Sequence, residues 1–275
     1  MIRFFDVDDP ATPDGLPSYR ATEIALAGWG PDHVAGPAVV GLLAQVLEDA
    51  HGVDGFVPAR LTVELLRTFR TAPTTVHTEV VRTGRRIVVA RAEAVQNDHV
   101  VAIATFVQYK RTENAPGERW LPDLTVPAPP ALDDPSSEAT AWYHSASSGW
   151  TTELADHLNA DRFSAWWRPP QVTAGRDPSP YARAVMVSEW TSLVTNIGTD
   201  WVGYINGDLT VALSRVPTSE WVGVQALSHL DADGIAVGTS VIADLDGAIG
   251  SGTVTAIANA HPSVDASSTP SAGDR

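Results

Sequence analysis

"LTVELLR", residues 61–67, and "LTVALSR", residues 209–215, decide how this chain is built. Leu61/Leu209, Thr62/Thr210, Val63/Val211, Leu65/Leu213 and Arg67/Arg215 are identical, at an offset of 209 − 61 = 148 residues in a chain of 275. One unit written twice would fill such a chain. Kept fixed, the offset lays "GRRIVVARAEAVQNDHVVAIATF" (84–106) over "ADGIAVGTSVIADLDGAIGSGTV" (232–254) without a gap. Ile87/Ile235, Val89/Val237, Asp98/Asp246 and Thr105/Thr253 are again identical. Both blocks alternate with period two around a turn, "QNDH" at 96–99 and "DLDG" at 244–247, rich in the residues hairpins favour.

Small residues recur in the same register. Ala90, Ala92, Ala102 and Ala104 fall over Gly238, Ser240, Gly250 and Gly252. Period two places them on one face of two adjacent strands, where a helix can approach closely. The same offset finds that helix. Val39, Leu42, Leu43, Val46, Leu47 and Ala50 follow amphipathic spacing in the first half. In the second half the register predicts a helix near 181–198, with Ser179 as N-cap, Pro180 at the first helical position and Gly198 as the stop. Met186, Trp190, Leu193, Val194 and Ile197 form its apolar side.

Each half therefore reads as strand, helix and four hairpin-connected strands, with the first repeat over 1–112 and the second over 141–260. Between them, 113–140 is Pro-rich and reads as an extended linker, while 261–275 has the composition of a disordered tail. Residues 141–165 are ambiguous between strand and helix.

The bulk composition narrows the chemistry. A net charge of −15 argues against a nucleic-acid partner, because phosphate neutralisation needs a basic face. Cysteine is absent, which excludes disulfides and thiolate catalysis and fits a reducing, cytoplasmic setting. No apolar run reaches the roughly 20 residues of a membrane span, and the N-terminus lacks the pattern of a secretory signal. Seven arginines between 60 and 91, including Arg85 and Arg86, face only Glu64 and Glu79 in that stretch. Such a patch suits a small polyanion such as a nucleotide-bearing cofactor, or is a solvated strand face. No nucleophile elbow, zinc-protease, Walker or dinucleotide motif occurs, and the eight histidines lack metal-ligand spacing. Neither a metal nor a cofactor is expected.

A helix gripped by a curved antiparallel sheet, duplicated in one chain, resembles the double hotdog fold, an α+β class. The phrases "GWGPDHVAGPAVVGLLAQVLEDA", "ARLTVELLR", "TGRRIVVARAEAVQND" and "INGDLTVALSRVPTSEWVGVQA" are similar to the acyl-CoA thioesterase II type of the thioesterase-like superfamily, over about residues 18–258. That resemblance implies hydrolysis of an acyl-CoA or other acyl thioester by carboxylate-assisted water attack. It also implies a homo-oligomer of double hotdog protomers as a further expectation. A non-catalytic acyl-binding protein and a hotdog dehydratase or hydratase are the alternatives.

On the second helix, Glu189, Ser192 and Asn196 are spaced i, i+3, i+7 and form a polar stripe. The resemblance places a catalytic aspartate near Glu189, a hydroxyl residue at Asn206 and a glutamine at Thr253 or Thr255. Asp208 is a second candidate acid, or a strand-start residue paired to an arginine. Before the first helix, Asp32, His33 and Gly36 lie where backbone N–H groups receive an oxyanion; His33 is a candidate base. Along that helix Glu48 projects away from the apolar side and Asp49 lies at its edge, where it can be held inside. Five tryptophans (166, 167, 190, 201 and 221) gather in the second half as core or tunnel lining. A single active site is expected beside the second copy.

Overall fold

The two matched heptapeptides are neighbours in space. The computed structural model describes residues 2–8, 15–28, 30–130, 132 and 138–259. Its first half contains β1 (Arg3–Asp8), β2 (Ser18–Ala21), α1 (Gly36–His51), β3 (Phe56–Leu65), β4 (Thr74–Thr83), β5 (Ile87–Gln96) and β6 (His99–Lys110). The second half opens with β7 (Ala141–Ser145), β8 (Gly149–Thr151), β9 (Ser164–Trp167) and β10 (Gln171–Thr173). There follow α2 (Pro180–Glu189), α3 (Thr191–Asn196), β11 (Ile197–Gly198), β12 (Trp201–Val202) and β13 (Tyr204–Asn206). The half closes with β14 (Asp208–Leu213), β15 (Val222–Ala232), β16 (Ile235–Asp244) and β17 (Gly247–Ala258).

One sheet runs β10-β1-β2-β4-β5-β6-β3-β14-β17-β16-β15-β9-β7-β8, with β13 beside β17. Its middle is the antiparallel pair β3–β14, in which Thr62 opposes Thr210. Their hydroxyls meet at 3.3 Å across a separation of 148 residues. The offset read from sequence is thus a pseudo-twofold axis through one residue pair. Outward from it, β6, β5, β4 and β2 answer β17, β16, β15 and β9. This is the expected double hotdog.

Equivalent positions also do equivalent work. Gln96 Oε1 accepts the Arg70 N–H at 3.1 Å, and Asp244 Oδ2 accepts the Thr218 N–H at 2.9 Å; both pairs obey the offset. In the second copy the side chain is charged and needs a countercharge. Arg215 supplies it with two bonds of 2.5 and 2.7 Å to a fully buried carboxylate. Burial alone would raise the Asp244 pKa, but Arg215 and the Thr218 and Asp246 amides outweigh it and hold it below the usual carboxylate range. Arg215→Ala is expected to cost about 2–3 kcal/mol at neutral pH, the scale of hydrogen bonds to a charge. That loss is complete above the ordinary carboxylate pKa and fades as pH falls through the depressed folded value. Urea melts at pH 7 and pH 3 read it; equal midpoints for variant and wild type at pH 7 would refute it.

The small-residue stripe admits the helices as expected, with one departure. Ala90, Ala92, Ala102 and Ala104 are fully buried in the core that α1 fills. Gly238 and Gly252 lie against Thr195 and Thr191 of α3, and Ser240 Oγ meets Thr191 Oγ1 at 2.7 Å. Gly250 instead faces Ala212 and Leu213 of β14. The ambiguous segment 141–165 is strand, strand, a short turn of helix at Leu154–His157 and the start of β9. The linker has neither helix nor strand over its described residues, and the 261–275 tail lies outside them. No helix among the described residues is long and apolar enough to cross a membrane.

Candidate active site

Ser179 caps α2 as its sequence position predicts, its side chain accepting the Ala182 N–H. The helix does not run on to Gly198. It ends at Glu189, Trp190 takes φ −64° and ψ 0°, and α3 restarts at Thr191 and stops at Asn196. At the break Trp190 N–H bonds Val187 O and the Thr191 hydroxyl bonds Ser188 O, while the Trp190 ring is drawn onto Trp167, stacked at 4.6 Å. Glu189 therefore closes a helix rather than sitting inside one.

Its surroundings come from the other copy. α1 and α2 lie side by side and antiparallel: Gly36 meets Glu189, Gly41 meets Met186, and Glu48 meets Ser179. A Cβ on Gly36 would fall inside van der Waals contact with the Glu189 carboxyl. The N-cap residue of α1, Ala35, offers no side chain to the helix start. Glu189 thus faces the positive end of α1, with only 7% of its surface exposed. Burial pushes its pKa up to about 8, against the opposing pull of Asn206, whose Nδ2 donates to Oε1 at 3.3 Å. Held near neutrality, such a carboxyl can take and return a proton.

Asn206 is fixed by a second bond, Nδ2 to the Asp208 carbonyl at 3.2 Å. Gly207 lies between β13 and β14 and interrupts the strand, so Asn206 and Asp208 part company. The Asp208 carboxylate goes to Thr255, accepting its N–H at 2.8 Å and its hydroxyl. Asp208 is therefore a strand-to-strand clamp and not a second acid beside Glu189. Thr253 also misses the site, since it pairs with Thr210 and Thr239 while Asn206 sits opposite Ala256.

Of the substrate-binding candidates, Gly36 is brought to the carboxyl, and Ser192 and Asn196 continue buried along α3. His33 packs over Gly30 and lies 3.8 Å from Asp32, which Arg70 holds by two bonds. Asp49 is not held inside: Arg176 draws it to the surface as a half-exposed ion pair. Glu48, read as projecting away, is instead the part-buried neighbour of Ser179, its pKa raised by burial. Arg85 and Arg86 sit exposed on the turn after β4, where Arg86 O receives the Lys110 N–H. Lys110 pairs with Phe56, just beyond the far end of α1, so this turn is remote from Glu189. Thr255 as the partner of Asp208 is not legible in the sequence, since two threonines of one alternating strand carry no signal that separates them.

Two family models match the chain: the acyl-CoA thioesterase N-terminal domain over residues 26–109 and the acyl-CoA thioesterase C-terminal domain over 112–257. Among solved structures, a putative thioesterase II from Thermobifida fusca YX is similar at 15% identity and TM-score 0.68, covering 88% of this chain and 92% of that one. A tesB protein of Mycobacterium avium subs paratuberculosis is similar at 18% identity and TM-score 0.61, with the same coverage of 88% and 92%. A conserved hot dog fold protein from Alicyclobacillus acidocaldarius gives 18% identity and TM-score 0.64, covering 92% and 98%. These three likenesses concern the fold. No curated protein matches the chain.

Proposed function

This chain belongs to the acyl-CoA thioesterase family, a family of thioester hydrolases, and on that premise we propose that Glu189 runs the reaction with Asn206 and the start of α1. The carrying observation is a buried carboxyl, its pKa near 8, set against the first turn of the other copy's helix. Ionised Glu189 removes a proton from water as the water oxygen bonds to the thioester carbonyl carbon. Negative charge gathers on the carbonyl oxygen, where the positive end of α1, with the Gly36 N–H, stabilises it. Collapse breaks the C–S bond, and the thiolate takes the proton back from Glu189. The free acid and the thiol leave.

Acyl-CoA is the substrate proposed, and the reducing cytoplasm the setting. The exposed pairs Leu230–Val237 and Ile235–Ile257 form one apolar patch on β15–β17 and support association of protomers, which light scattering reads. The same proposal takes 1–112 and 141–260 as the two repeats and 113–140 as the linker between them.

A panel of acyl-CoAs of graded chain length, assayed by thiol release, is expected to show turnover on at least one length. Silence across the panel would sink the proposal. One observation favours a second reading, a non-catalytic acyl binder: Asp208 engages Thr255, so the third polar position does not reach Glu189. Calorimetric binding of acyl-CoA without turnover would select it.

A further inference from the structure

Two helical turns beyond Glu189, Asn196 ends α3 at the wall of a cleft of about 540 Å³. The cleft lies between the β11–β12 hairpin, β13, the middle of β15 and residues 160–163. Asn196 is only 5% exposed, yet neither its Oδ1 nor its Nδ2 has a hydrogen-bond partner among the described residues. Trp201, also on this wall, is 9% exposed and its Nε1–H is likewise unpartnered.

A buried carboxamide without partners is costly. Trp201 adds a second anomaly. Its φ of +92° is a left-handed value that a bulky side chain rarely adopts, in a two-residue hairpin strand that lines the cleft.

The chemistry of the open groups describes their ligand. Asn196 presents one acceptor and a donor side by side, and Trp201 presents a further donor. Another amide edge completes that set, its carbonyl receiving Asn196 Nδ2 and Trp201 Nε1 and its N–H donating to Asn196 Oδ1. Charge at the cleft disfavours an anion: Asp161 and Asp200 stand against Arg162, whose Nε is committed to the Ala226 carbonyl. Phe163, Tyr204 and His229 supply flat walls, the last two in edge contact at 5.4 Å.

We propose that this cleft is a second binding site, separate from the thioester centre, for a neutral ligand presenting an amide edge to Asn196 and Trp201.

Benzamide is the probe, with benzoate as its anionic counterpart of the same ring. Calorimetry on the full chain is expected to show saturable benzamide binding at one site per chain, with benzoate at least tenfold weaker. Asn196→Leu removes both polar groups at similar size, and is expected to weaken benzamide at least tenfold while melting no lower than wild type. Trp201→Phe keeps the ring and loses the N–H, and is expected to weaken binding severalfold, which preserves the test if the first variant folds poorly. Glu189→Gln is expected to leave benzamide affinity unchanged, whatever it does to turnover. Absence of saturable benzamide binding to wild type overturns the proposal. So does equal affinity in both cleft variants, or benzoate binding as tightly as benzamide.

Discussion

Glu189→Gln lowers thioester turnover by about 10²–10⁴-fold, the range for loss of a positioned general base, and makes the protein more stable at alkaline pH. Glutamine keeps the shape and the contact with Asn206 but cannot accept a proton from water. Wild-type turnover rises with pH and levels off above about 8, where Glu189 is ionised. Stability runs the other way. The folded carboxyl holds its proton up to about 8 and the unfolded one only to about 4.5, so the native state binds more protons between them. Wild-type stability therefore falls across that window by up to about 1.4 kcal/mol per pH unit from this group. The variant lacks this slope, so its melting temperature draws ahead of wild type from pH 5 to pH 8. Wild-type turnover in the variant, or parallel melting curves, would remove Glu189 from the reaction.

A second substitution attacks the same carboxyl from the other copy. At the first position of a helix, alanine is ordinarily better than glycine, by up to about 1 kcal/mol in helix interiors. At Gly36 the preference is expected to reverse, because the new methyl would overlap the Glu189 carboxyl. Gly36→Ala displaces that group by about 1 Å and is expected to reduce turnover about 10²-fold, as misplacements of that size do. Glu189→Asp shortens the side chain by one methylene and makes room for the methyl. The double variant Gly36→Ala/Glu189→Asp is therefore expected to recover at least about tenfold over Gly36→Ala alone, a coupling that a double-mutant cycle reads. Independent, additive effects would show that the two residues do not share a site.

The fold was legible because a repeat constrains every element at once. Thr62/Thr210 set the register, and the alternation around "QNDH" and "DLDG" placed β5–β6 and β16–β17. What escaped was decided by tertiary contacts. Trp190 fits the helical period, yet its ring stacks on Trp167, which lies 23 residues earlier, and the helix breaks there. β10 runs parallel to β1, joining the second half's chain to the first half's edge, and no local pattern announces a parallel pair. The polar stripe Glu189–Ser192–Asn196 was visible, but its burial was not, because the cover over Glu189 is the start of α1. Asp208 drew attention as an acid before a strand. Only the interruption at Gly207 and the nearness of Thr255 reveal it as a clamp.

The seam at Thr62–Thr210 has a genetic consequence. Were these halves two products of one gene meeting in a homodimer, every substitution at one end would be imposed on the other. Covalent continuity through 113–140 releases that constraint while the β3–β14 seam keeps the geometry. The two ends differ. At the start of α1 the Glu189 carboxyl lies against a glycine and takes a bond from Asn206 of its own copy, whereas at the start of α2 the Glu48 carboxyl takes its bond from the capping serine. With both halves in one chain the two ends can be selected separately, so that a change harmful to one task need not touch the other.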